Sequence, residues 1–411
     1  MKKRQQLVLL TNRFPYFPGE QFLETELLYS SMAFSKVELV PVHTGEQQRD
    51  VPDHVSLKLC DQARWRSLLT HDRQSLSWLA EEMRQASRFG IKGWLEMVNW
   101  MRHALRISTF LEKQWLQSPS WDLHNTVFYS YWLSPAALAL ALLKEKNKAL
   151  VAIARAHSGD LYEQQRPLPY LPFQRKIVGM LDEVHCISRD GQLYLQERYP
   201  ESADRVAVHR LGTQDPRFIN PSNPHPSFHI VSCSYFKAVK RLPLLVEALK
   251  EMKGSIQWTH IGGGEGFTEW AQEVKRLLPS TITAHFTGPL SQAALFAYYQ
   301  TTPIDVFLNV SEREGIPVTM MEAMSVGIPV IATNAGGVSE IVDGQCGVLL
   351  PVDVSPTNIA QALMKFKEQS KTNQEMYRQA ARRKWETVYN AARNYTQFYE
   401  SLAHRRGSNG N

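Results

Sequence analysis

Two carboxylates mark the stretch "SEREGIPVTMMEAMSVGIPVIATNAGG", Ser311 to Gly337: Glu314 and Glu322, with seven residues between them. The apolar run "DVFLNVS" ahead of them reads as a strand ending near Ser311. Pro317 then suits the first position of a helix, where its missing N–H would have had no intrahelical partner. A helix opening there points free N–H groups and the positive end of its dipole outward, which favours phosphate. Glu314 lies in the loop just before that start, where a carboxylate fits sugar hydroxyls beside the phosphate better than the phosphate itself. Glu322 follows about a turn and a half into the helix, placed to grip vicinal hydroxyls such as those of a ribose. Two hydroxyl grips around one phosphate site describe a nucleotide sugar. The plainer alternative makes Glu314 a helix cap and Glu322 a solvated helix residue.

The surrounding pattern supplies the scaffold. Short apolar runs "FHIVSCS", "IQWTHIGGG", "TAHFTG", "DVFLNVS", "PVIAT" and "GVLL" alternate with helical stretches from Phe228 onward, the signature of a parallel α/β domain. The first half carries the same alternation in "LVLLT", "VELVPV", "TVFYSYW", "ALVAIARAH", "EVHCIS" and "RVAVHRL". Between them "PRFINPSNPHPS" holds four prolines and reads as a linker. The expected domains are residues 1–215, a linker at 216–227, a second domain at 228–380, and a C-terminal helix over 381–411 that packs back toward the first domain. Two doubly wound domains of this kind bind ligands at the C-terminal ends of their strands.

Residues 61–117 depart from the alternation. The segment is helix-rich and contains Trp65, Trp78, Trp94, Trp100 and Trp115, with nine Lys or Arg against six acids. Two readings stay open: an inserted helical subdomain with an aromatic core, or a platform for a membrane surface or lipid acceptor. The longest apolar run, Ser134 to Leu143, is far shorter than the ~20 residues of a membrane span. The N-terminal "LVLL" is too short for a signal peptide. Four scattered cysteines lack any CxxC pair and fit a reducing compartment. The expected location is therefore the cytoplasm, with peripheral contact at the inner membrane left open. A net charge of +6 over 411 residues does not call for nucleic acid.

Ser311, Glu314, Gly315, Pro317, Glu322, Ala323, Gly327, Pro329, Val330, Thr333, Gly336, Gly337, Glu340 and Gly347 together resemble the donor motif of family 4 of the retaining glycosyltransferases. The resemblance spans almost the whole C-terminal half. "HIGGGE", with Gly263, looks like the family's glycine-rich turn, and "FTGPL" also has its usual place. In the N-terminal half "ARAHSGDLYE" looks like the segment bearing the active-site histidine, here His157, with Ser158 where glycine is usual; Arg155 and Asp160 flank it as further candidates. Gly19 in "FPGE" resembles the glycine of the loop after the first strand, where acceptor and phosphate approach the backbone.

The resemblance implies a GT-B fold: two Rossmann-like domains facing a cleft, with a helical insertion in the first. It implies a retaining transfer from a nucleotide diphosphate sugar without a bound metal or other cofactor. Glu314 and His157 would act on the donor sugar, and Gly315, Ile316, Pro317, Val318 and Lys240 would hold the diphosphate. The implied acceptor is a glycan or polyprenyl-diphosphate-linked intermediate of bacterial surface polysaccharide. A second departure bears on the diphosphate. An arginine is usual five residues before Lys240, and this chain has Tyr235 there, leaving Lys237 and Arg241 as candidate second cations. Two rival readings remain: a nucleotide-sugar epimerase or hydrolase, and a binding protein without turnover.

Overall fold

Unbroken apolar runs bounded by turn residues become the inner strands of parallel sheets, because both faces of such sheets are covered by helices. The computed structural model describes residues 5–60, 76–119 and 121–405, and the chain divides into two units, 1–210 with 392–411, and 211–391. In the first unit β1 (Gln6–Thr11), β2 (Lys36–Pro41), β3 (Val55–Leu57), β4 (Thr126–Ser130), β5 (Val151–Ala156), β6 (Glu183–Cys186) and β7 (Val206–Val208) form one sheet. Their order is β3-β2-β1-β4-β5-β6-β7, and every pairing is parallel. The helices of this unit's first stretch are α1 (Phe22–Leu27), α2 (Leu76–Ser87), α3 (Gly90–Leu111), α4 (Pro135–Lys146), α5 (Ser158–Leu161), α6 (Gln174–Met180) and α7 (Arg189–Arg198).

The run read as too short for a membrane is α4, opened by Pro135 and capped by the Ser134 hydroxyl, which accepts from Ala136 N at 3.3 Å. It is buried almost end to end, and α3 packs beside it with Met97, Trp100, Met101 and Ala104 in the same core. Trp100 and Trp115 are buried, and Trp78 and Trp94 are half-buried against that core, so these four side the insertion with the aromatic-core reading. Trp65 lies outside the described residues. Among the described residues no helix is long and apolar enough to cross a membrane.

The second unit repeats the plan with β8 (Phe228–Cys233), β9 (Ile256–Ile261), β10 (Ile282–Gly288), β11 (Val306–Asn309), β12 (Val330–Thr333) and β13 (Gly347–Leu350), in the order β10-β9-β8-β11-β12-β13, again all parallel. Its helices are α8 (Leu242–Lys250), α9 (Phe267–Leu277), α10 (Gln292–Thr301), α11 (Val318–Ser325), α12 (Val338–Ile341), α13 (Pro356–Lys367) and α14 (Lys371–Val388). The proline-rich stretch 216–227 belongs to this unit: Asn220 is buried, and its amide donates to the carbonyls of Tyr299 and Thr302.

Of the C-terminal helix expected over 381–411, the described residues 381–405 carry two helices, the end of α14 and α15 (Ala391–Ala403), and 406–411 lie outside the described residues. Between them the backbone pairs elsewhere: Thr213 N donates to Tyr389 O and Ala391 N donates to Thr213 O, which replaces the next helical bonds. Helix α15 belongs to the first unit, where Tyr395, Phe398 and Tyr399 pack on Tyr29, Tyr129 and Phe34.

Candidate functional site

In each sheet the strand order reverses direction at one place, where crossovers leave to opposite sides and the loops splay into a crevice at the C-terminal strand ends. In the second unit that place lies between β8 and β11. The loop after β8 carries Lys240, and the loop after β11 carries Glu314.

The first loop is shaped by a 3₁₀ turn over Ala238–Lys240 and by Arg241, whose φ of 49° is left-handed. A non-glycine residue pays strain there, and three backbone carbonyls hold it in place. The Arg241 guanidinium donates to Val310 O at 2.6 Å, Val352 O at 2.7 Å and Ser311 O at 3.3 Å. Arg241 thus ties the two loops together. Glu312 N donates to Val239 O at 2.8 Å and closes the same seam. The result is a direct ion pair, Lys240 Nζ to Glu314 Oε1 at 2.6 Å, with Asn309 Nδ2 donating to the same oxygen at 3.2 Å. Lys237 is exposed and stands over the ring of Tyr235, which is itself 57% exposed.

Behind Glu314, Ile316 and Pro317 are buried, and α11 begins at Val318 with Pro317 as its cap, one residue later than the sequence expectation. The N–H groups of Val318 and Thr319 head this helix without intrahelical partners. Gly336 and Gly337 let the next loop close on Gly315: Gly337 N donates to Gly315 O at 2.9 Å, and a Cβ at Gly336, where φ is 56°, would sit 2.1 Å from Glu314 O. Across the β8 loop, Gly263 O accepts from Phe236 N at 2.8 Å. Its neighbour Gly262 has a φ of 137°, and a Cβ there would meet Ser234 O at 2.0 Å. Only glycine permits that approach.

Glu322 is not a solvated helix residue: it is 7% exposed. Gln292 Nε2 on α10 donates to its Oε1 at 3.1 Å, while burial pushes its carboxyl up to about 7. A carboxylate so placed gains from any additional hydroxyl donor.

The corresponding reversal in the first unit lies between β1 and β4. The loop after β1 carries Gly19, with φ 96°, and then Glu20. The Glu20 carboxylate accepts from three successive backbone N–H groups, Asn12 at 3.0 Å, Arg13 at 2.6 Å and Phe14 at 2.6 Å, and from Trp132 Nε1 at 2.5 Å. Trp132, in the loop after β4, packs on His157 with ring centres 4.3 Å apart; Tyr131 lies 5.0 Å away and Phe22 6.1 Å.

His157 follows β5 at the head of α5 and is 7% exposed, and neither ring nitrogen has a hydrogen-bond partner. Burial, then the Arg155 charge, hold its imidazole well below the usual histidine range, so it is neutral. Asp160 bridges two loops, accepting from His157 N at 2.6 Å and from Leu133 N at 2.7 Å. Burial pushes Asp160 up to about 7, with the two N–H donors pulling the other way. Arg155 is fully buried and pairs with Glu26, which also accepts from Tyr131 and Tyr399. That pair sits inside the core rather than at an open site.

The structure therefore brings Lys240, Glu314 and the head of α11 together in one unit, and His157, Asp160 and the Gly19 loop in the other. Glu20, Trp132, Gln292 and Asn309 were not singled out from sequence. Glu20 gave no local signal, since the N–H groups it accepts from are six to eight residues back along the chain.

Residues 216–383 match the family model described as "Glycosyl transferases group 1". The WcaL protein of Escherichia coli K12, named as a colanic acid biosynthesis glycosyltransferase, is 24% identical over 377 residues, 87% of this chain and 89% of that protein. WcaL of Salmonella typhimurium LT2 is 28% identical over 258 residues, 58% of this chain; the match spans 59% of that relative's length. Among solved structures, Anabaena HepE in complex with UDP-glucose superposes with a TM-score of 0.64 at 13% identity, covering 97% of this chain and 100% of that one. At that identity the likeness speaks to the fold.

Proposed function

We propose that this chain, whose residues 216–383 match the glycosyl transferases group 1 model, is a retaining glycosyltransferase of bacterial surface-polysaccharide synthesis. It moves a sugar from a nucleotide diphosphate sugar to a glycan acceptor carried on a lipid diphosphate, at the cytoplasmic membrane face. The observation that carries this reading is the Lys240–Glu314 pair at the head of α11, beside the buried Glu322. It supplies one cation and free N–H groups for a diphosphate and two carboxylates for hydroxyls. The relatives' names support the pathway.

In the proposed reaction Glu322 accepts from the ribose hydroxyls and Glu314 from the donor sugar. Lys240 and the N–H groups of Val318 and Thr319 stabilise the charge that develops on the leaving diphosphate, so no bound metal is required. The acceptor hydroxyl attacks the anomeric carbon from the face the diphosphate leaves. The bond from that carbon to the phosphate oxygen breaks, and that oxygen takes the hydroxyl proton. Neutral His157, with both ring nitrogens unpartnered, meets the sugar at its oxocarbenium-like stage without adding positive charge.

The test is incubation with a panel of nucleotide sugars, with and without polyprenyl-diphosphate-linked acceptor, in chelator. Nucleotide release that depends on acceptor, with an α-linked product from an α-linked donor, is expected. Donor isomerised or hydrolysed equally well without acceptor would favour the epimerase or hydrolase reading, and donor bound without turnover would favour the binding protein.

A further inference from the structure

The four described tryptophans of the insertion pack in or against its core, and a different set of side chains is left outside. On α3, Ile91 is 76% exposed, Leu95 64% and Val98 54%. They fall at i, i+4 and i+7, with exposed Arg102 at i+11, so all four share one face of the helix. The opposite face holds Met97, Trp100, Met101 and Ala104 in the domain core. The outward stripe is thus additional to the apolar face that folding uses.

Charge is sorted around this stripe. Arg88, Lys92 and Arg102 are exposed. The nearby acids are half-buried and engaged at the flanks: Glu96 accepts from Arg166 at 2.7 Å and from Trp100 at 3.2 Å, Glu82 accepts from Tyr170, and Glu81 lies 3.8 Å from Arg175 and 3.9 Å from Arg84. The surface that remains is aliphatic in the middle and cationic at its edges.

We infer that the outward face of α3 docks the protein on a bilayer rich in anionic headgroups, with Ile91, Leu95 and Val98 entering the acyl boundary and Arg88, Lys92 and Arg102 meeting the headgroup phosphates. A stripe one helix wide suits a helix lying in the plane of a bilayer interface. It is narrow for a stable protein partner, whose interface covers about 800 Å² per side. The cations match the surface potential of an anionic leaflet. The inference extends the lipid-linked-acceptor reading by naming the surface that brings the enzyme to such an acceptor. Its test uses neither donor nor acceptor, so the two readings can fail separately.

The full chain is floated with vesicles of phosphatidylcholine alone or mixed with phosphatidylglycerol. Partition onto the phosphatidylglycerol vesicles is expected to exceed that onto phosphatidylcholine by about tenfold or more and to fall with added salt. Ile91→Ser, Leu95→Ser and Val98→Ser together should lower that partition by about tenfold or more. Lys92→Glu with Arg102→Glu should lower it and flatten its salt dependence. Both variants should melt like the parent, since the changed side chains are outside the core. Equal partition onto both vesicle types, or an aliphatic variant that partitions like the parent, overturns the inference. So does a parent chain that is dimeric by light scattering and becomes monomeric in the aliphatic variant, since the stripe then covers a second copy.

Discussion

The Lys240 ammonium lies 2.6 Å from Glu314 Oε1, so the cation assigned to the diphosphate and the acid assigned to the sugar neutralise each other. A diphosphate arriving at the head of α11 competes for that ammonium, and its capture frees Glu314 to accept from a sugar hydroxyl. Lys240→Met should therefore weaken nucleotide diphosphate binding by about ten- to a hundredfold, the range for hydrogen bonds to charged groups. Glu314→Gln should leave that affinity within about threefold and instead lower kcat, because it keeps the shape and loses the charge. Calorimetric titration with the nucleotide diphosphate, alongside turnover, separates the two. Unchanged binding in Lys240→Met would remove the lysine from the site.

In its proposed role on the ribose, Glu322 should give donor binding a pH dependence. Its carboxyl is pushed by burial from an ordinary 4.5 up to about 7, and ribose hydroxyls donate more strongly to its ionised form. Nucleotide affinity should consequently rise with pH through about 5 to 7, by at most tenfold per unit, and then level off. Stability moves the opposite way. Between 4.5 and about 7 the folded chain keeps a proton that the unfolded chain has lost, so this residue's contribution is full below 4.5 and is lost as pH rises through about 7. Glu322→Gln should flatten both profiles and weaken binding above pH 7. A binding profile in the variant with the same slope as the parent's would assign the titration to another group.

Much of this arrangement was legible because parallel strands, being buried on both faces, are written as continuous apolar runs. "LVLLT" and "DVFLNVS" became β1 and β11 with ends close to those expected. Strand β3 has only Val55 to Leu57 and leaves too short a run to detect. The break between α14 and α15 was hidden because it depends on Thr213, about 180 residues away, taking over the backbone bonds of Tyr389 and Ala391. Side-chain roles divide the same way. The helix-start logic around Pro317 is local and could be read. The burial of Glu322 under Gln292, and Arg241's hold on carbonyls of two other loops, are tertiary facts with no local signature.

Glu20 is expected to act through the loop it holds. Its two oxygens gather the N–H groups of Asn12, Arg13 and Phe14 together with Trp132 Nε1, and Trp132 in turn packs on His157. A glutamine would point its own N–H₂ at some of those donors and leave them unsatisfied. Glu20→Gln should raise KM for the acceptor by about tenfold, with nucleotide diphosphate affinity unchanged because that site is built in the other unit. A matching fall in thermal stability with unaltered acceptor KM would reduce Glu20 to a structural role, and Glu20→Asp, which keeps the charge, should recover part of the loss.

Tyr235, where the resemblance implies an arginine, offers the last test. Arg241 cannot stand in for that arginine without releasing Val310, Ser311 and Val352, and Lys237 is turned over Tyr235 at 5.9 Å. In the proposed reading Lys240 then meets the diphosphate with one cation fewer than the resemblance implies. Tyr235 is 57% exposed, so a longer polar side chain fits there without disturbing the core. Tyr235→Arg should tighten nucleotide diphosphate binding by several-fold, with the gain shrinking at high salt as expected of a partly exposed charge. Arg241→Met should instead lower the melting temperature, because three carbonyls lose their donor and a left-handed residue loses what holds it. If Arg241→Met kept its melting temperature and lost diphosphate affinity, Arg241 would be the second cation after all, and Tyr235→Arg should then add nothing.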